Sequence, residues 1–368
     1  MRVLFISKPV MPPWNDGSKN LVRDVVSHVR LIEPTIMVAP GAPSLGARVQ
    51  REPVYGAAGV FALSNNALVL NRLIFGQPLD AWNFVFAPNV RSSSAARVAI
   101  AAQRARGWTG PIVQTVASQP KEFTGAPSLF FGDLVVALSE WTRQRLRDAG
   151  VHEGRIRLIA PCAAAPRPVT AQEVVRFREA HDLGDGPVAV YPGDLEVSTG
   201  ARTVAEAAPE MLRRVPGLRL VFACRPKSAR AQGIENQLRS ELGAVMPFVR
   251  FLGEIPDMAV LLAATDVLLF PVDDLYGKVD LPLVLLEALA LGTPMVLARG
   301  GPLEELEAAR FVAPRAAQAL ADEACALLED EPARKALGER ARALHRARFA
   351  PEIAGERYDA LYAELGAR

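Results

Sequence analysis

Residues 266–305 read DVLLFPVDDLYGKVDLPLVLLEALALGTPMVLARGGPLEE and hold the side chains with the greatest chemical potential in the chain. Glu287 falls within LVLLEALA, an otherwise apolar stretch of helical character. A carboxylate there needs a partner, because burying it unpaired costs several kcal/mol. Two neighbouring hydroxyls, as on a ribose, would donate two hydrogen bonds to it; a nearby lysine or helix N-terminus is the plainer partner. Lys278 and Asp280 lie in the polar loop before that helix. The Gly300-Gly301 turn follows a strand, at a carboxyl end where open α/β sheets bind ligands. Upstream, CRPKSAR holds Arg225 and Lys227, and an arginine can grip phosphate with two parallel hydrogen bonds. A solvated strand-end arginine is the competing reading. Asp16-Gly17-Ser18-Lys19 opens a helix, whose exposed N–H groups would hold an anion or hydroxyls, or would simply be capped.

These residues need strand ends and helix starts to position them. Apolar runs recur at 3–6, 36–39, 84–87, 112–116, 134–138 and 156–160, and again at 188–191, 218–223, 249–253, 267–270, 295–298 and 311–313. Continuous rather than alternating, they suit strands buried on both faces of a parallel sheet. Helical patterns at 18–30, 92–106, 140–149, 202–214, 230–242 and 283–291 fall between many of them. The alternation predicts two doubly wound Rossmann-like α/β domains. PCAAAPRPVT (161–170) reads as the linker, 315–347 as further helices, and 352–366 as a last amphipathic helix. In each domain the strand–loop–helix junctions then bring the candidate residues to carboxyl strand ends, where open α/β sheets bind ligands.

Composition narrows the classes. At 368 residues the chain is too long for one ordinary core, so two domains are expected at roughly 150 residues each. No apolar run approaches the roughly 18 residues that span a bilayer, and MRVLFISKPV reads as a first strand rather than a signal peptide. Cys162, Cys224 and Cys325 stand far apart, which fits a cytoplasmic protein and argues against structural zinc. No histidine has metal-ligand spacing, so no metal is expected. Residues 1–165 hold 18 Lys/Arg against 10 Asp/Glu, a balance of +8, and the remainder 24 against 30, or −6. The first half is therefore suited to something anionic, such as a membrane surface or a phosphate-bearing molecule. No basic run interleaved with aromatics appears, so nucleic acid is not an expected partner. ERARALHRARF (339–349) sets Arg340, Arg342, Arg346 and Arg348 on a helix, a solvated face or a contact with the inner membrane surface. After the first strand a dinucleotide fold would place GxGxxG. SKPVMPPWNDGSKN stands there instead, which disfavours NAD binding by that route.

The order DVLLFP, LPLVLLEALALGTPMV, ARGGPLEEL resembles family 4 (group 1) of the retaining glycosyltransferases, of the fold called GT-B. VVALSEWTRQRLRDAGV with IRLIAP, VFACR, and FLGEIPDMAVLLAATDVLLFP agree in order; only the 251–305 block is specific. The resemblance implies two Rossmann-like domains facing across a cleft: an acceptor-side domain over 1–165 and a nucleotide-sugar-binding domain over 166–348. It also implies that the helix over 349–368 packs back on the first domain. It further implies transfer of a sugar from a nucleotide-sugar donor to a hydroxyl of a glycan or lipid-linked acceptor, with retention and without metal or other cofactor. Glu287 would hold the donor ribose as the second Glu of a Glu-x7-Glu motif. Gly300, Gly301 and Gly193 would let backbone approach the donor, Leu252 and Gly253 would lie beside the nucleobase, and Gly17 and Ser18 would face the donor.

The pattern departs in places. Val279 stands where the first motif Glu would be. Asp194 and Thr199 occupy the family's Arg and Lys positions, and an Asp pointing at a diphosphate repels it. Arg225, Lys227 and Lys278 are the substitute cations, with Asp280, Lys278 and Arg225 as the catalytic candidates. The family's acceptor-side His is not evident, and Ser118 or Gln119 stands in its region. A partner subunit of the same fold without transfer activity, and a sugar-nucleotide epimerase-like enzyme, are the alternative readings.

Overall fold

The computed structural model describes residues 1–56, 63–120, 122–123, 128–226 and 228–367. They form two compact units. Unit 1 comprises Met1–Ala163, Tyr276–Leu283 and Arg348–Arg368; unit 2 comprises Ala164–Leu275 and Val284–Ala347. Tyr276–Leu283, which the sequence reading assigns to the second domain, is thus part of unit 1.

Unit 1 is built on β1 (Arg2–Ile6), β2 (Glu33–Val38), β3 (Gln50–Pro53), β4 (Ala81–Phe86), β5 (Ile112–Val116), β6 (Leu134–Ala137) and β7 (Ile156–Leu158). All pair in parallel in the order β3-β2-β1-β4-β5-β6-β7. Its helices are α1 (Gly17–His28), α2 (Leu63–Phe75), α3 (Val90–Ala105) and α4 (Glu140–Asp148). After β7 the chain enters unit 2 through α5 (Ala171–Ala180), whose Thr170 and Glu173 form a capping box. The sheet there contains β8 (Val188–Tyr191), β9 (Arg219–Phe222), β10 (Val249–Phe251), β11 (Val267–Phe270), β12 (Met295–Ala298) and β13 (Arg310–Val312). These strands are also parallel, in the order β10-β9-β8-β11-β12-β13. The helices of this half are α6 (Gly200–Arg214), α7 (Arg230–Leu242), α8 (Met258–Ala263), α9 (Leu283–Leu291), α10 (Ala317–Glu329) and α11 (Glu331–Leu344). The last helix, α12 (Pro351–Gly366), returns to unit 1.

The expected two doubly wound α/β domains are borne out. Every residue of β8, β11 and β12 is buried, as parallel strands covered on both faces require. Sequence reading missed β3, whose QREP is polar and ends in proline. Such a composition is tolerated at a sheet edge, where one side of the strand needs no partner. It also missed α2, LSNNALVLNRLIF, whose paired asparagines hide a helical period.

The packing of α12 on α1 explains two residues. Asp359 accepts hydrogen bonds from Arg30 N at 2.7 Å, Leu31 N at 2.9 Å and Ile32 N at 3.3 Å, which satisfies the chain after α1. Gly355 lets the helices approach, because a Cβ there would lie 2.5 Å from the His28 carbonyl oxygen. A backbone oxygen cannot give way cheaply. Gly355→Ala should therefore destabilise the chain by about 1–3 kcal/mol, as overpacking does. Denaturant unfolding measures this, and an unchanged midpoint would mean that α12 shifts without cost. No helix among the described residues is long and apolar enough to cross a membrane.

Candidate functional site

In unit 2 the strand order reverses between β8 and β11. Open parallel sheets bind ligands outside the carboxyl strand ends at such a reversal. The two loops that begin there are tied together. Asp273, after β11, accepts from Thr199 N at 3.0 Å and, through its other oxygen, from Arg315 Nε at 2.9 Å. Burial pushes the Asp273 carboxyl up, but the Thr199 amide and the Arg315 guanidinium outweigh it and hold the group below its usual range. Arg315, with φ at 61°, adopts the left-handed region that side chains disfavour. No short-range pattern links Asp273 to Arg315, and the sequence reading missed both.

Asp194 is buried, and its Oδ1 accepts from Glu196 N at 3.1 Å and Val197 N at 2.9 Å. That oxygen is therefore turned onto the loop's own amides. The fully buried Tyr191 donates its hydroxyl to the Asp194 carbonyl at 3.0 Å. Gly193 fits against this ring, where a Cβ would come within 2.2 Å of the phenol. Its glycine has a packing reason beside any ligand reason.

Three further strand ends of unit 2, those of β9, β10 and β12, lead into the other candidate positions. Arg225, just past β9, is half-buried and makes no hydrogen bond or ion pair among the described residues. Lys227 lies outside the described residues. Leu252 extends the β9 pairing through Leu252 N to Phe222 O at 3.0 Å, and Gly253 turns the chain at φ 65°. The Phe251 ring stacks on Phe222 at 4.7 Å, with the Arg239 guanidinium 4.3 Å from its face, which stiffens the strand before Leu252. After β12, Gly300 has φ 96° and Gly301 is extended. No described atom lies within 4 Å of a Cβ built at either. Backbone conformation thus explains Gly300, whereas neither conformation nor crowding explains Gly301.

Glu287 is half-buried on α9, between the buried Leu286 and Ala288, and takes part in interactions within the protein. The helix closes firmly one turn later. Thr293 N donates to Ala288 O at 2.9 Å and Gly292 N to Leu289 O at 3.0 Å, with Gly292 at φ 74°; this is a Schellman stop. Arg342 adds a hydrogen bond to Leu291 O at 2.7 Å, and Arg340 one to Glu307 O at 3.3 Å. Two of the four arginines read as a basic face are thus turned onto backbone carbonyls.

Unit 1 holds the remaining candidates. Asp16 caps α1, accepting from Ser18 N at 3.1 Å, Ser18 Oγ at 2.6 Å and Lys19 N at 3.2 Å. Burial opposes its charge, but Lys8, 2.5 Å away, and these donors hold the carboxyl below its usual range. The Ser18 hydroxyl thus serves the cap. Gly17 faces Val279, whose Cγ2 would stand 3.1 Å from a Cβ there. Val279 itself is buried in the apolar cluster of unit 1. Lys278 is half-buried, and desolvation pulls its ammonium pKa down to about 8. Asp280 is fully buried, accepting from Ser139 Oγ at 2.6 Å and Gln119 Nε2 at 3.2 Å, and burial pushes its carboxyl up. Among the three catalytic candidates, Lys278 and Asp280 therefore share unit 1, and Arg225 belongs to unit 2. Ser139 also caps α4, and its second partner, Asp280, is remote in sequence. Among the described residues no three His, Cys, Asp or Glu side chains are grouped to hold a metal ion.

Residues 186–330 match the family described as glycosyl transferases group 1. The match runs from the start of β8 past β13, so every strand-end loop of unit 2 lies inside the group 1 segment. A GDP-mannose-dependent alpha-(1-6)-phosphatidylinositol monomannoside mannosyltransferase of Mycolicibacterium smegmatis is 31% identical over 180 residues, 47% of this chain and 46% of the relative. A D-inositol 3-phosphate glycosyltransferase of Corynebacterium aurimucosum is 28% identical over 244 residues, 63% of this chain and 56% of the relative. The chain spans about half the length of these curated relatives. Among solved structures, Anabaena HepE in complex with UDP and glucose superposes with a TM-score of 0.76 at 16% identity, over 99% of both chains. Sucrose-phosphate synthase from Thermosynechococcus elongatus gives 0.75 at 20% identity, over 100% of this chain and 99% of the other. The group 1 segment thus sits in a chain whose fold is that of glycosyltransferases of the GT-B class, as the sequence resemblance implied.

Proposed function

We propose that the protein is a glycosyltransferase that moves a sugar from a nucleotide-sugar donor to an acceptor hydroxyl, with unit 2 holding the nucleotide. The observation that carries this reading is the coincidence of the group 1 segment with the whole carboxyl edge of the unit 2 sheet. Glu287 would take the ribose hydroxyls, Gly301 would admit the donor to the backbone, and Arg225 would meet the diphosphate. Stabilising charge on the departing diphosphate is the main chemical task of such a site. Retention, independence from metal and a glycan or lipid-linked acceptor rest on the family resemblance; a cytoplasmic setting rests on the scattered cysteines, and work at an anionic membrane surface on the positive balance of residues 1–165.

A donor screen tests the reading, with GDP-mannose and UDP-glucose first because relatives or neighbours are named with these or with UDP. Phosphate-bearing acceptors of the kind named for the two relatives come first as partners. Release of nucleoside diphosphate that depends on acceptor is the expected result. Binding without release from any donor would favour the partner-subunit reading, to which the buried Val279 at the first motif position lends support. Arg225→Ala should weaken a nucleoside diphosphate by about 1.5–3 kcal/mol, the range for hydrogen bonds to charged groups, and leave the nucleoside unaffected. Equal losses for both ligands, by calorimetry, would remove Arg225 from the diphosphate.

A further inference from the structure

The segment Tyr276–Leu283 is covalently part of the path from β11 to α9, yet it packs as part of unit 1. Three successive residues fix it there. Val279 and Leu281 are buried apolar side chains. Between them Asp280 is a carboxyl at full burial that accepts hydrogen bonds from Ser139 and Gln119, 141 and 161 positions away in sequence. Ser139 follows β6 and Gln119 follows β5. The Ser139 hydroxyl is itself oriented, because it accepts from Thr142 N at 3.0 Å as the cap of α4 while donating to Asp280. On the other side of Lys278 the chain turns at Gly277, with φ 73°.

An apolar side chain at position 280 would fill this place without any need for donors. A buried carboxyl is a costly filler, and these donors are neutral, so the group is a poor source of stability. It supplies direction instead: two hydrogen bonds at fixed angles set the segment's register against two strand ends at once. We infer that Asp280 is a positioning residue, which fastens Tyr276–Leu283 to the ends of β5 and β6 and so sets the place of Lys278 and the entry into α9. The consequence for turnover rests on the proposed function; the consequence for the segment does not.

Hydrogen exchange on the full chain, followed by mass spectrometry, tests the fastening in Asp280→Ala, Ser139→Ala and Asp280→Asn. In the alanine variants amides of 276–283 should exchange at least about tenfold faster while β1 and β5 keep their protection, as local opening requires. Asp280→Asn, which keeps one acceptor, should lie between. Kd for UDP and GDP should move less than about threefold, while diphosphate release from the donor that the screen identifies falls at least about tenfold, the pattern of lost positioning. Unchanged exchange in folded Asp280→Ala, or an equal rise throughout unit 1, overturns the inference. If Asp280→Ala does not fold, Ser139→Ala and Asp280→Asn decide in the same way. A native chain that turns over no donor would defeat the proposed function, and the exchange result would still settle the role of Asp280.

Discussion

Replacing Glu287 with alanine should raise the Kd of a nucleoside diphosphate roughly 5- to 150-fold, equivalent to about 1–3 kcal/mol. The carboxylate is half-buried on a helix whose flanking residues are apolar and buried, so water competes for it only in part. Because Glu287 already has interactions within the protein, the measured loss is the difference between ribose and those internal partners, which favours the lower half of the range. The substitution itself is mild for α9, since alanine has the highest helix propensity, and the thermal midpoint serves as the control. A 2′-deoxynucleoside diphosphate sharpens the test. It should bind the native chain more weakly than the ribo form, and Glu287→Ala should abolish that preference. If the mutant still discriminates between the two, the ribose is held elsewhere.

The parts of the fold that were legible in sequence were those with local causes. VAVY, VLLF and MVLA could be placed to the residue because a strand covered on both faces leaves a continuous apolar run. Gly292, just past the helical pattern over 283–291, is the kind of residue that ends α9, because a residue at ease with positive φ closes a helix in this way. The Gly300-Gly301 turn was visible for a similar reason. What could not be read were pairings between remote residues. Nothing near Asp280 in sequence shows that its carboxyl meets Ser139 and Gln119, or that its segment joins unit 1. Asp194 reads as a misplaced charge until the Glu196 and Val197 amides are seen to donate to its carboxylate. Arg315 was invisible as the partner of Asp273 for the same reason: the contact exists only because β11 and β13 flank β12 in one sheet.

Asp280 should also leave a signature in the pH dependence of stability. Its carboxyl pKa is raised in the folded chain by burial, against the opposing hydrogen bonds of Ser139, Thr142 and Gln119, whereas an unfolded aspartate titrates near 3.9. Between those two values the folded state carries more protons than the unfolded one. Stability from this group therefore falls as pH rises through that window, with a slope of at most about 1.4 kcal/mol per pH unit for one proton. Asp16 and Asp273 run the other way: their folded pKa values are lowered, so their contribution is present above the unfolded pKa and is lost as pH falls. A raw acid-unfolding curve mixes these effects. The difference between the native chain and Asp280→Asn isolates the one group, since the amide does not titrate. That difference should be flat below about pH 4, move in favour of the asparagine variant as pH rises, and level off above the raised pKa. A flat difference at every pH would mean that water solvates the carboxyl and that it is not held as the structure shows. Ser139→Ala should extend the sloping window to higher pH, because it removes a hydrogen bond that holds the carboxyl down.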